Sequence, residues 1–237
     1  MTKSSDRIKA PLKEGQIMLT EVEAKELLSE RGLSAPAGET VQSSADAVKT
    51  AEQIGYPVTV KVVSPSIQHK SEWFDGSGVN VNVTDPERVR TTAKRILDTA
   101  DQQGIDAAVL VEEGLDLTTG IEVIVGGIRD PSFGSIVLVG LGGIMVEVLQ
   151  DTSHRLAPIS TAEALEMISE LEAAPLFDGY RGSPAINKNA ISEVIVTVGE
   201  LLDTHEEIRE IEINPLLAQS DRVVVLDALV ALDGDTK

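Results

Sequence analysis

Glu212 and Asn214 lie two residues apart in the run 211–215, Ile-Glu-Ile-Asn-Pro, and Asp227 follows the apolar run 223–226. Period two along a strand puts Glu212 and Asn214 on one face. With Asp227 on the next strand, three oxygen donors can converge, as a hard divalent cation requires; the alternative is a cross-strand cluster of polar side chains. A second group is cationic. Lys61 sits inside the apolar run 57–63, where an ammonium is costly unless it meets an anion, the alternative being a lysine that snorkels from an edge strand. The chain has ten lysines, three of them before residue 15 and one at the end, so Lys61 and Lys70 in one short stretch stand out. His69 beside Lys70 lies in the loop that opens at Ser64-Pro65; a loop histidine alone carries no assignment.

Carboxylates inside apolar runs form a third group. Glu122 and Glu147 each interrupt a strand, which calls for a balancing cation such as Lys61, Arg155 or a metal. Glu112-Glu113-Gly114 ends another apolar run, and both acids there can equally be solvated. Arg129 and Arg181 read as surface salt-bridge residues. His205 follows a long helix and reads as a surface residue, while His154 beside Arg155 gives no clear signal.

The elements that must position these groups follow from caps and periodicity. Residues 1–15 are polar and aperiodic, and are expected to be a flexible tail. Thr20 with Glu23 forms a capping box for a helix that stops at Arg31-Gly32. A short strand at 39–41 precedes a helix capped by Ser43 or Ser44, which ends before Tyr56-Pro57. Strands are expected at 57–63, 79–83 and 107–111, with a helix from Pro86 that buries Val89, Ala93, Ile96 and Ala100. Beyond these come strands at 121–125, 136–139 and 144–149. Gly140 to Gly143 joins the last two most simply as a hairpin turn, and no lysine follows to make a P-loop. Ser160 with Glu163 and then Asn187 open two further helices, and strands at 211–213 and 223–227 close the chain. The expected division is a smaller α+β unit at about 45–111 inside a larger one at 16–44 and 112–235.

Composition narrows the class of function. A net charge of −19 excludes a phosphate backbone or an anionic membrane as partner. No apolar run approaches the roughly 20 residues of a membrane span, and the N-terminus has no apolar signal segment. With no cysteine, a metal must be held by oxygen or imidazole. A cytoplasmic location is expected. The acid excess, with few lysines and aromatics, also fits a halophilic protein whose carboxylate repulsion is screened by salt.

Four blocks, GYPVTVKVVSPSIQHK, GIEVIVGGIRDPSFGSIVLVGLGGIMVEVLQD, HRLAPIS with YRGSPA, and EIEINPLL with VVVLDALVAL, occur in order. Together they resemble the ATP-grasp (β) subunit of the nucleoside-diphosphate-forming acyl-CoA synthetases, the ADP-forming acetate–CoA ligases related to succinyl-CoA synthetase. The resemblance runs from about residue 17 to 232. It implies an ATP-grasp fold, α+β or α/β, whose two lobes enclose ATP or ADP with Mg²⁺. Lys61 would then reach the phosphates, and residues 111–114 would meet the adenine and ribose through their backbone and through Glu112 or Glu113. Glu122, Gly142, Gly143 and Glu147 would line the phosphate site, Arg155 would neutralise phosphate charge, and Glu212, Asn214 and Asp227 would hold the magnesium. His69, with Lys70 beside it, would carry a phosphoryl group between this chain and a CoA-binding α subunit that has its own phosphohistidine, in a hetero-oligomer. The implied reaction is acyl-CoA + ADP + phosphate ⇌ acid + ATP + CoA.

The family's glycine pair directly follows the histidine and lysine, whereas here residues 71–75 intervene and the glycines are split by Ser77. The inserted Trp73-Phe74 pair is expected to be exposed and available to a partner. The readings that compete are a succinyl-CoA synthetase β subunit, a free-standing ATP-grasp carboxylate ligase, and a nucleotide-sensing subunit without turnover.

Overall fold

Every second residue of 58–63 is a valine, and these valines set the architecture of the smaller unit. In the computed structural model, which describes residues 3–67, 70, 72–143, 150–179 and 184–234, the chain divides into Pro36–Asp116 and Met1–Ala35 with Leu117–Lys237. Within the smaller unit, β1 (Gly38–Val41), β2 (Val58–Val63), β3 (Val79–Val83) and β4 (Ala108–Glu113) form an antiparallel sheet in the order β1-β4-β2-β3. Val58, Val60, Val62, Val109 and Val111 pack on α3 (Ser44–Ile54) and α5 (Pro86–Gln102), through Ala47, Ala51, Val89, Ala93 and Ile96. Each such valine removed from water contributes about 1.5–3 kcal/mol. Ser43 caps α3 by accepting the Asp46 N–H, and Asp85 caps α5 by accepting that of Arg88, with Pro86 in its first turn. Between β2 and β3 a short helical turn, α4 (Trp73–Gly76), interrupts the loop.

The boundary of this unit differs from the one expected. β1 pairs with β4 from Gly38↔Glu112 to Val41↔Val109, so residues 36–44 belong with the smaller unit and not with the larger. A four-residue strand exposed over most of its length carries no periodic signal that would have assigned it.

The larger unit holds β5 (Ile121–Asp130), β6 (Gly134–Leu141), β7 (Thr152–Leu156), β8 (Ile208–Ala218), β9 (Val223–Val225) and β10 (Ala228–Leu232). They form an antiparallel sheet in the order β10-β8-β5-β6-β7, with β9 on β8. Antiparallel pairing throughout the described strands makes the fold α+β. Its helices are α1 (Lys3–Lys13), α2 (Glu21–Ser29), α6 (Thr161–Glu170), α7 (Ala174–Phe177) and α8 (Lys188–Thr204). Val123, Val125, Val137 and Val139 from β5 and β6 pack with Ile191, Val194, Ile195 and Val198 of α8 in one core.

Two expectations are corrected here. The tail expected at 1–15 is helical over Lys3–Lys13, with Ile8 fully buried in the core and Leu12 against it. Arg7 pairs with Glu26 and Glu30, and Lys9 with Glu207. Two apolar residues four apart suffice to dock a charged helix, and that is too little for a sequence pattern to reveal. Second, Gly140 is not in a hairpin turn: it lies within β6, opposite Ile124 on one side and Thr152 on the other. The strand expected at 144–149 lies outside the described residues.

Candidate functional site

Alternation along the larger sheet separates a helix-covered face from its opposite. Ile211 and Ile213 of β8 join the core under α8, so Glu212 and Asn214 turn to the other face. Val123 and Val125 likewise leave Glu122 on that face. One amide ties these groups together. Asn214 Oδ1 accepts the Gly143 N–H at 3.1 Å, and Asn214 Nδ2 donates to Glu212 Oε1 at 3.3 Å. The Gly142 N–H donates to the Glu122 carbonyl at 2.8 Å, and Gly143 has φ +60°, with the Glu122 carboxylate where a β-carbon would stand. Gly143 is therefore required both by its conformation and by its neighbour. Asp227 joins through the backbone, its carbonyl accepting the Asn214 N–H at 3.2 Å. Among the described residues no three acidic or imidazole side chains form a metal-binding group. Two carboxylates and an amide oxygen with a second free lone pair still suit Mg²⁺, which takes few protein ligands and completes its shell with phosphate and water. Glu147 lies outside the described residues.

The same alternation divides β7 against expectation. Ser153 and Arg155 face the helices, where both bond the Glu170 carboxylate of α6. That pairing raises the Arg155 guanidinium above its usual range, and holds Glu170 below the usual carboxylate range, with Ser153 assisting. Arg155 thus lies on the opposite side of the sheet from Glu212 and Asn214, and the phosphate role expected for it is withdrawn. His154, which carries no signal in the sequence alone, is exposed on their face. Arg129 is not a surface salt-bridge residue either: its guanidinium bonds the carbonyls of Leu202, His205 and Ile208, satisfying the C-terminal end of α8. His205 is buried, not on the surface, and burial lowers its imidazole below the ordinary 6.5, with Arg31 and Lys9 adding to the effect against Glu207.

In the smaller unit Lys61 and Glu112 are only 5% and 3% exposed and pair at 2.6 Å, Nζ to Oε1. They occupy the sheet face away from α3 and α5, since Val60, Val62 and Val111 turn toward those helices. The anion that Lys61 required is thus on the neighbouring strand. Glu112 is not a free ribose ligand, whereas Glu113 is exposed. The Glu113 and Gly114 N–H groups donate to the carbonyls of Ala37 and Pro57, so these two donors are not open to an adenine edge. Arg181 and His69 lie outside the described residues.

Lys70 is buried, and its carbonyl lies where a β-carbon on Gly78 would be. The split glycines are thereby explained: Gly78 admits the Lys70 backbone, and Gly76 takes φ +78°. Of the inserted aromatic pair only Phe74 is exposed, at 47%. Trp73 packs on the core of the unit and donates from Nε1 to Gln103 Oε1 at 3.1 Å.

Comparison with known proteins gives the family. The ATP-grasp domain family model matches residues 10–232. The β subunit of ADP-forming acetate–CoA ligase I from Pyrococcus furiosus is 44% identical over 217 residues, 90% of this chain and 91% of that one. The structure of acetyl-coenzyme A synthetase 1 from Ca. Korarchaeum cryptofilum with coenzyme A and Ca-AMPCP superposes with a TM-score of 0.90 at 35% identity, covering 98% of this chain and 100% of that one. A second structure of that enzyme, with coenzyme A and Mg-AMPPCP and its phosphohistidine segment pointing towards the nucleotide-binding site, gives a TM-score of 0.82 at 35% identity over the same shares of each chain. The chain therefore belongs to the ATP-grasp family, and within it to the β subunits of the ADP-forming acetate–CoA ligases.

Proposed function

We propose that this chain is the nucleotide-binding subunit of an ADP-forming acyl-CoA ligase, an acid–thiol ligase that interconverts acyl-CoA, ADP and phosphate with acid, ATP and CoA. The observation that carries it is the convergence of Glu122, Gly143, Glu212 and Asn214 on one face of the larger sheet, with the Asp227 backbone bonded to Asn214, in a chain of this family. Glu212, Asn214 and Asp227 would hold Mg²⁺, which would supply neutralisation of phosphate charge. Gly142 and Gly143 bring backbone close to the phosphates, with Glu122 fixing the turn. Lys61, held by Glu112, would supply positive charge to the nucleotide phosphates.

The partner is a CoA-binding α subunit, and a phosphoryl group passes from its phosphohistidine to His69. An imidazole nitrogen of His69 attacks the phosphorus as the partner's imidazole leaves. A terminal phosphate oxygen of ADP then attacks the same phosphorus, and His69 leaves as ATP forms. The phosphohistidine segment described in the Korarchaeum relative supports this reading. The protein acts in the cytoplasm, and its net charge of −19 suits a salt-rich one.

Co-purification from the native source, followed by assay of CoA-dependent ATP synthesis across several acyl-CoAs, tests the whole. Wild-type complex is expected to make ATP, and His69→Ala to abolish synthesis while binding Mg-ADP as before. Full turnover by His69→Ala would remove the shuttle.

A further inference from the structure

We infer that His154 is a phosphate-binding residue of the nucleotide site, facing the carboxylates across the sheet. Register fixes its position: His154 pairs with Leu138, Leu138 with Gly126, and Gly126 with Glu212. Cross-strand partners share a face, so His154 and Glu212 stand at the two ends of one row, three strand spacings or about 14 Å apart between α-carbons. The opposite orientation of Ser153 and Arg155, both bonded to Glu170 on the helix side, confirms it. Gly126, which has no side chain, and the uncharged Leu138 lie between them.

Charge along the row between β7 and Glu212 is otherwise negative. The described strands place Glu122, Glu210 and Glu212 on this face, with Asp227 beside Asn214. Arg129 and Arg155 both point to the helix side. Apart from Arg209, bulged out of the β8 ladder beside Glu210, His154 is the described strand residue of this face that can carry a positive charge. A phosphate over Gly126 would have the cation of Glu212 and Asp227 on one side and the His154 imidazole on the other. Both ring nitrogens of an imidazolium donate, and donation to a phosphate oxygen is a charge-assisted bond. This inference rests on the nucleotide reading above and adds a ligand to it.

Calorimetric titration of the full chain with Mg-AMP, Mg-ADP and Mg-ATP tests it in wild type, His154→Gln and His154→Lys. Because His154 is exposed, the variants should fold, which circular dichroism checks. His154→Gln is expected to weaken ADP or ATP binding by about ten- to a hundredfold, the scale of one hydrogen bond to a charged group, and to leave AMP unchanged. His154→Lys should restore the loss. A deficit with ADP would assign the contact to the second phosphate, and one with ATP alone to the third. Equal affinities in wild type and His154→Gln would overturn the inference, as would a loss shared by AMP or not rescued by lysine. Wild-type protein that bound no Mg-nucleotide would overturn the nucleotide reading itself and this inference with it.

Discussion

The side-chain oxygen of Asn214 accepts the Gly143 N–H at 3.1 Å, so one amide in the middle of β8 holds the turn that follows β6. The same side chain donates to Glu212, and its removal should loosen both. Asn214→Ala is expected to destabilise the chain by about 1 kcal/mol, the net value of a typical internal hydrogen bond, and to weaken Mg-ADP binding by more than tenfold. Asn214→Asp keeps the acceptor but sets a second carboxylate against Glu212, so it should bind Mg-ADP less well than wild type at low magnesium and recover as magnesium rises. Urea denaturation and calorimetry read the two effects separately.

Lys61 and Glu112 form a buried ion pair, and such pairs are costly to break from one side. Lys61→Met alone should lose about 3–5 kcal/mol by removing the cation paired with the buried carboxylate. Adding Glu112→Leu should return much of that stability without returning nucleotide affinity. A double-mutant cycle in urea checks the first statement, and calorimetry with Mg-ADP the second. If the double variant were no more stable than Lys61→Met, the pair would not be the main restraint on Lys61.

Arg155 serves the helix layer, so its loss should show in folding and not in turnover. In the reconstituted complex Arg155→Gln is expected to keep kcat/KM within about twofold of wild type. Its thermal midpoint should fall together with that of Glu170→Gln, since the two share one contact. A hundredfold loss of kcat at unchanged stability would place Arg155 back among the phosphate ligands.

His205 gives the fold a dependence on acid. Burial holds its proton affinity below the ordinary 6.5, so below that pH the unfolded chain binds the proton more readily than the folded one. Stability from this group is complete above about pH 6.5 and is lost as pH falls through 6.5 toward the folded value. Urea midpoints between pH 7.5 and pH 5 should therefore drop more steeply for wild type than for His205→Gln, and equal slopes would remove the claim.

The net charge of −19 predicts a response to salt. Screening shortens the range of carboxylate repulsion from about 10 Å at 0.1 M to about 3 Å at 1 M. The urea midpoint should accordingly be higher in molar KCl than in dilute buffer. A lower midpoint in molar KCl would contradict adaptation to high salt.

Which parts of this molecule were legible from sequence follows from how each is encoded. Glu212 and Asn214 were readable because isoleucines flank them at strand period, and the helices at 21–29, 161–170 and 188–204 because their caps are local. Arg155 was misplaced because Thr-Ser-His-Arg-Leu has no apolar alternation to reveal a strand, and a residue's face is undefined until the strand is known. Lys61 was recognised as needing an anion, but its partner Glu112 is 51 residues away in sequence and is paired only by sheet register. Ile8 and Leu12 were too few to announce a docked helix.

The chain contains one tryptophan, and Trp73 is seated on the hydrophobic core of Pro36–Asp116 with its indole N–H on Gln103. Its emission therefore reports on the packing of that unit. Circular dichroism averages over both units. The molecule thus carries its own optical label for separating the melting of its two halves, with no dye or engineered residue.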